Sequence, residues 1–202
     1  PKNTDEMIKI GKDHTLDFNA DGIIDRYGLV WNYTEPFFYV PWLGGFGEWM
    51  MKNDVEPNLN TEANVQAFSF IKSLKDEHQI IPKECDYETA NALFKTGQAA
   101  MIINGDWSLG DYEGVVNYDI APLPLVSQTG LWPTPTVNTK GYSLNKNISK
   151  EKLPLVLNLI SFLTGDSVQT AFSRKLKYLP SSIAAVDVLN KSGYPHIKKL
   201  SE

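Results

Sequence analysis

Residues 17–25 read Asp17-Phe18-Asn19-Ala20-Asp21-Gly22-Ile23-Ile24-Asp25, which places oxygen-bearing side chains at alternate positions. Calcium takes roughly six to eight oxygen ligands, and a tight loop supplies them at this spacing. Asp17, Asn19 and Asp21 offer side-chain oxygens, Ile23 its carbonyl, and Asp25 a carboxylate that binds directly or through water. Gly22 permits the sharp turn, and Ile24 anchors the loop to a core. An EF-hand needs a bidentate Glu at its last ligand position, but Gly28 stands there. The loop is therefore not an EF-hand, and any ion finds its remaining oxygens elsewhere. The alternative is an Asx-rich turn with no metal. A structural calcium at Asp17, Asn19, Asp21, Ile23 and Asp25 is one expectation; no cofactor is required.

Constellations for catalysis are sparse. The chain has 3 His, at positions 14, 78 and 196. None shows the H-E-x-x-H spacing of a zinc protease, and the sequence has no G-x-S-x-G elbow and no P-loop. Two carboxylates flanking a glycosidic bond would hydrolyse it. Glu35 with Asp86, Asp106 or Asp111 are conceivable pairs, but chance supplies such pairs in a chain with 24 acids. The expectation is a protein that is not an enzyme. Aromatics make up 11% of the residues, and all five Trp fall in the first two-thirds. They either fill a core or stack on flat ligands.

The elements that must position these residues are legible in part. Thr4 to about Lys12 reads as a helix capped by Thr4, and Arg26 to Trp31 as a strand. Glu35-Pro36 opens a helix that the glycines at 44, 45 and 47 close, because Pro is well tolerated in a first turn. Residues 52–60 read as a surface hairpin or loop. Thr61 caps a helix to about Glu77, with Val65, Phe68, Ile71 and Leu74 as an apolar stripe for the core.

Asp86 caps the next helix, with Ala90, Leu93 and Phe94 on one face. Gly97 stands where a left-handed cap ends a helix. Ala99–Ile103 is an apolar run of strand length, and Asn104-Gly105 turns the chain toward Trp107. Strands are expected at Val115–Ala121 and at about Val137–Leu144. Ser149 should cap a helix with Val156, Leu157, Ile160 and Leu163 as its apolar face. Asp166 caps another over Ser167–Arg174, and a last helix lies near Ser182–Leu189.

Composition narrows the class. At 202 residues the chain allows one large or two small domains, and 42% hydrophobic with 21% charged residues is ordinary for a globular protein. Net charge is −5, which gives no electrostatic case for nucleic acid or an anionic membrane surface. No apolar run approaches the roughly 20 residues that span a bilayer. Cys85 is the single cysteine, so no internal disulfide forms.

The run from Tyr87 through Phe94 and Gly97 to Ala100-Met101-Ile102-Ile103-Asn104-Gly105 and Trp107 resembles a segment of the extracellular solute-binding proteins of the maltose-binding type. Glu35-Pro36-Phe37-Phe38 is similar to their Glu-Pro-Tyr-Phe. Two positions depart: Asp106 replaces the family's usual Pro, and Phe37 lacks the hydroxyl of the family's Tyr. The resemblance covers Pro1 to about residue 195.

The resemblance implies an α/β fold, a periplasmic-binding-protein type II lobe, followed by C-terminal helices that belong to the other lobe. It implies a ligand-binding lobe over 1–136, a lobe crossing at 137–141 and part of a second lobe over 142–202. The chain would then lack roughly the first hundred family residues and the C-terminal end. No signal peptide stands at Pro1, consistent with processing or with such a fragment. Helices without their sheet partner would expose apolar faces, leading to chain–chain pairing or repacking.

The implied function is the substrate-binding component of an ABC-type sugar importer, exported to the periplasm or lipid-anchored outside the cell, with a membrane permease as partner. Its ligand would be a maltodextrin-like oligosaccharide held between two lobes. Pyranose rings have apolar faces and a fringe of hydroxyls, which call for flat aromatics and polar side chains. Trp107 and Phe37 are the expected stacking platforms, Tyr87 a mixed stack and hydrogen-bond donor, and Glu35, followed by Pro36, the hydroxyl acceptor. The competing class is a carbohydrate-active enzyme or a calcium-stabilised carbohydrate-binding module without a transport role.

Overall fold

A computed structural model describes residues 1–193, His196, Lys199 and Leu200. The chain divides into two compact units, residues 1–104 with 121–137 and residues 105–120 with those from 138 on.

The first unit opens with α1 (Thr4–His14), capped by Asn3 rather than Thr4: the Asn3 side chain accepts the Glu6 N–H. Thr4 is buried instead, and its hydroxyl accepts the Ser127 N–H at 3.0 Å. Strand β1 (Tyr27–Val30) follows, then α2 (Pro36–Gly45) and a hairpin of β2 (Met51–Lys52) and β3 (Glu56–Pro57). Helix α3 (Glu62–Asp76) carries the expected Thr61 cap, which accepts the Asn64 N–H.

Helix α4 (Tyr87–Lys95) and strand β4 (Ala99–Ile102) complete the unit's named elements. Asp86 caps α4 by accepting the Thr89 N–H at 2.8 Å. Gly97, at φ +76°, ends it: its N–H reaches the Phe94 carbonyl and the Gln98 N–H reaches that of Leu93. Such a turn needs a residue without a Cβ penalty in the left-handed region.

β4 pairs with β1 in parallel, Leu29 opposite Met101 and Val30 opposite Ile102. Parallel neighbours need a long crossover, which here contains α2, α3 and α4. The Leu29 N–H also bonds the Ile80 carbonyl. The core joins Met7, Leu29, Trp31, Phe38, Trp42, Leu43, Phe46, Ala67, Leu74, Ile80 and Val126.

The stripe on α3 is corrected. Leu74 is buried, but Val65 and Phe68 are each 59% exposed. The small residues Ala63 and Ala67 define the inward face together with Leu74, and Val65 and Phe68 turn away from it. Phe68 stacks on Tyr39, with ring centroids 4.1 Å apart.

The second unit contains a 3₁₀ turn (Asp106–Ser108), α5 (Leu109–Tyr112), α6 (Leu153–Leu163), α7 (Asp166–Leu176) and α8 (Ile183–Lys191). Residues 105–120, expected in the first lobe, cluster here because α5 meets the end of α7. Glu113 pairs with Lys177 at 3.5 Å, and a Cβ on Gly110 would lie 3.2 Å from the Leu176 carbonyl oxygen. Helix α7 starts at Asp166, with Gly165 as its cap. Helix α6 starts at Leu153, later than the Ser149 cap implied, and none of its residues is buried. The strands expected at 115–121 and 137–144 do not form. A strand needs a neighbour for its ladder, and these segments have none among the described residues; Val137, Tyr142 and Leu144 are exposed.

Candidate functional site

Glu35, Pro36, Phe37 and Tyr87 stand in the first unit and Trp107 in the second. Glu35 occupies the N-cap position of α2 with extended backbone, yet its side chain makes no capping bond. Its Oε2 instead accepts from the Asn32 amide nitrogen at 2.8 Å. The Thr34 hydroxyl donates to Asn32 Oδ1 at 2.7 Å. Pro36, in the first turn of α2, has no N–H to leave unsatisfied. Phe37 is half-buried and meets Phe38 edge-on, centroids 5.3 Å apart, while Phe38 enters the core.

Tyr87, also half-buried, is the first residue of α4 and packs on the same core as Phe37. The buried Asn91 amide donates to the Tyr87 carbonyl at 2.8 Å and accepts from Asn104 at 3.2 Å, tying the start of α4 to the exit of β4. Hydrogen bonds from the Thr89 side chain and N–H hold the Asp86 carboxyl below its ordinary value.

Trp107 is 37% exposed, in the 3₁₀ turn. Its ring lies against Gly105, where a Cβ would come within 2.1 Å of the indole. The sequence marks Gly105 as a turn residue; its second role is to make room for the ring. Asn32 gave no sequence signal either, because a lone Asn before a helix has no periodicity to read.

The 17–25 loop is folded by two successive Asx turns, at Asn19 and Asp21, and by longer side-chain bonds to its own N–H groups. The Gly22 N–H donates to Asp17 Oδ2 at 2.8 Å, the Ile23 N–H to Asp21 Oδ1 at 2.8 Å and the Phe18 N–H to Asp25 Oδ2 at 2.7 Å. Asn19 Oδ1 accepts the Asp21 N–H, and its amide donates to Asp21 Oδ2 at 3.0 Å. The Gly22 bond lowers the Asp17 pKa, while Asp17 Oδ1 is buried without a hydrogen-bond partner. Among the described residues no group of three His, Cys, Asp or Glu is placed to hold a metal ion.

Comparison with known proteins gives these features a lineage. Over its full length the chain superposes on 53% of the maltose/maltodextrin-binding domain MalE from Bdellovibrio bacteriovorus bound to maltotriose, with a TM-score of 0.90 and 51% identity. A maltotriose-binding protein of Pyrococcus abyssi is 25% identical over 139 residues, 67% of this chain and 29% of the relative. The sn-glycerol-3-phosphate-binding periplasmic protein UgpB of Brucella melitensis is 28% identical over 172 residues, 82% of this chain and 39% of the relative. The chain thus spans about half the length of the solved relative and less of the two curated ones. The α/β architecture is that of the maltose-binding proteins, the type II periplasmic-binding fold. Residues 1–198 match the family described as bacterial extracellular solute-binding protein, and the chain belongs to that family.

Proposed function

We propose that this chain is part of the substrate-binding component of an ABC-type sugar importer and that its ligand is a neutral, maltodextrin-like oligosaccharide. One observation carries the reading: the likeness, at 51% identity over the whole chain, to a domain solved with maltotriose. Glu35 accepts a sugar hydroxyl, since an ionised carboxylate offers only acceptors. Phe37 with Pro36 and Tyr87, all in the first unit, present flat or apolar surface to pyranose faces, and Trp107, in the second unit, is assigned the same role from the motif alone. The protein works outside the cytoplasm, in the periplasm or lipid-anchored, and delivers its sugar to a membrane permease. The role is binding without turnover.

The UgpB relative motivates a second reading, an anionic glycerol phosphate ligand. A carboxylate at Glu35 disfavours a phosphate in the same place by like-charge repulsion. Titration calorimetry on the complete natural protein separates the two. Saturable binding of maltotriose without hydrolysis supports the sugar reading; binding of sn-glycerol-3-phosphate alone, or turnover of the glucan, overturns it.

Two lesser proposals accompany this one. Calcium binds the 17–25 loop through Asp17, Asn19, Asp21, the Ile23 carbonyl and Asp25 after these side chains leave the N–H groups they accept from here and converge; the spacing and the unpartnered Asp17 Oδ1 support it. A rise in melting temperature on adding calcium, absent with Asp17→Asn, is the expected result. The second is that α6 pairs with another chain rather than repacking onto its own; its lack of buried residues supports a partner surface.

A further inference from the structure

We propose that Asn32 is a positioning residue for ligand recognition: its side-chain amide holds the Glu35 carboxylate away from the end of α2 and turns Oε1 toward a ligand hydroxyl. This rests on the reading of Glu35 as the hydroxyl acceptor. It starts from the local geometry. Short side chains such as Asp, Asn, Ser and Thr cap the open N–H groups of a first turn, whereas the longer Glu is not a preferred cap. Glu35 stands at the N-cap position of α2 and makes no capping bond. The Asn32 Nδ2 bond at 2.8 Å holds one of its oxygens instead.

The arrangement is built in depth. Asn32 is 7% exposed, so its amide is held by its surroundings rather than by chance at a surface. An Asn amide can flip, and either end then faces the carboxylate. The Glu35 carboxylate decides the matter, because an ionised carboxylate only accepts and so requires the NH₂ end; the Thr34 hydroxyl, able to donate or accept, then donates to Oδ1 at 2.7 Å. The next residue is also fixed: the Tyr33 hydroxyl donates to the Pro82 carbonyl at 3.0 Å, and Trp31 meets the Tyr33 ring edge-on. Residues 31–35 thus form a braced link from β1 to α2. One Glu35 oxygen is committed to Asn32, and the other is left for the ligand. A carboxylate held this way accepts from a neutral sugar hydroxyl without first paying to order its own side chain.

The test is maltotriose affinity of the complete natural protein, by calorimetry at about pH 8 and about pH 5, a span that crosses the usual range of a raised carboxyl pKa. Asn32→Asp keeps the shape but removes the donor and sets two carboxylates against each other. Such a pair takes up a proton as pH falls, and the protonated Asp then donates where the amide did. The expected result, against the wild type at the same pH, is a roughly tenfold or greater loss at the higher pH and substantial recovery at the lower. In a Glu35→Gln background Asn32→Asp should cost little more.

An equal loss at both pH values, or a full further loss in the Glu35→Gln background, marks a merely structural Asn32 and overturns the proposal. Unchanged affinity overturns it too. Should Asn32→Asp fail to fold, Thr34→Val, on an exposed side chain, replaces it in the same cycle. A several-fold loss that vanishes in the Glu35→Gln background supports the proposal, and additive losses refute it. If the wild type binds no maltodextrin, the sugar reading itself has failed and this inference falls with it.

Discussion

Helices α2 and α6 look alike on paper. PFFYVPWLGG and LPLVLNLISFL are both rich in large apolar side chains, and each carries a Pro in its first turn. Yet α2 buries Phe38, Val40, Pro41, Trp42, Leu43 and Gly45, whereas α6 buries nothing. Leu155 and Phe162 of α6 are 69% and 65% exposed. Apolar composition sets how much a helix gains by being covered. What covers it depends on other parts of the chain, and for α2 these include α3 and Val126 in the same unit.

The difference can be broken first at its stronger end. Trp42 is fully buried and tilts against Phe70 at 5.1 Å between centroids. Trp42→Ala should destabilise by about 3–5 kcal/mol, the usual cost of emptying a large aromatic site. Denaturant unfolding measures it; a loss under about 1 kcal/mol would show that α2 is not the keystone of its unit.

The next effect is on binding. Trp107→Ala should weaken maltotriose binding at least about 100-fold, roughly 2.7 kcal/mol, with the melting temperature nearly unchanged. Unchanged affinity in calorimetry would remove Trp107 from the site. Gly105→Ala should displace the indole without touching it chemically, because the new methyl occupies the ring's place. An affinity loss of about tenfold is expected, together with a shift in tryptophan fluorescence.

At the weaker end, Phe162→Ser on α6 should change the stability of the isolated 202-residue chain by no more than about 0.5 kcal/mol, as at any exposed position. The same substitution should reduce self-association in sedimentation, if chain–chain pairing uses this helix. A large stability loss with no change in association would mean that α6 is covered within its own chain.

The smallest effect is acid sensitivity at the α4 cap. The folded Asp86 carboxyl is held below its ordinary value, so its contribution to stability is full above about pH 4, its unfolded pKa. It fades as pH falls through the folded value. The wild type should lose more melting temperature than Asp86→Ala between about pH 5 and pH 3. Parallel curves would contradict the cap.

Signals that are local in the chain were legible in the sequence. Asp86, Gly97, Thr61 and Pro36 act within one turn of their own helix, and each stands where its chemistry predicts. The expected strands at 115–121 and 137–144 failed because a β ladder is a property of two segments. The Val65 and Phe68 stripe failed because Ala63 and Ala67, small and easily overlooked, set the buried face of α3. The candidate ligand residues Glu35, Phe37, Tyr87 and Trp107 are legible only through motif likeness. Asn32 and the second role of Gly105 were hidden, since both depend on approaches visible only in three dimensions.

The most direct test is a crystal structure of the complete natural protein with maltotriose. The account predicts a sugar hydroxyl within hydrogen-bond reach of Glu35 Oε1, Asn32 still bonded to Oε2, and pyranose surface against Phe37 or Tyr87. Maltotriose bound with no contact to Glu35, Phe37 or Tyr87 would contradict it.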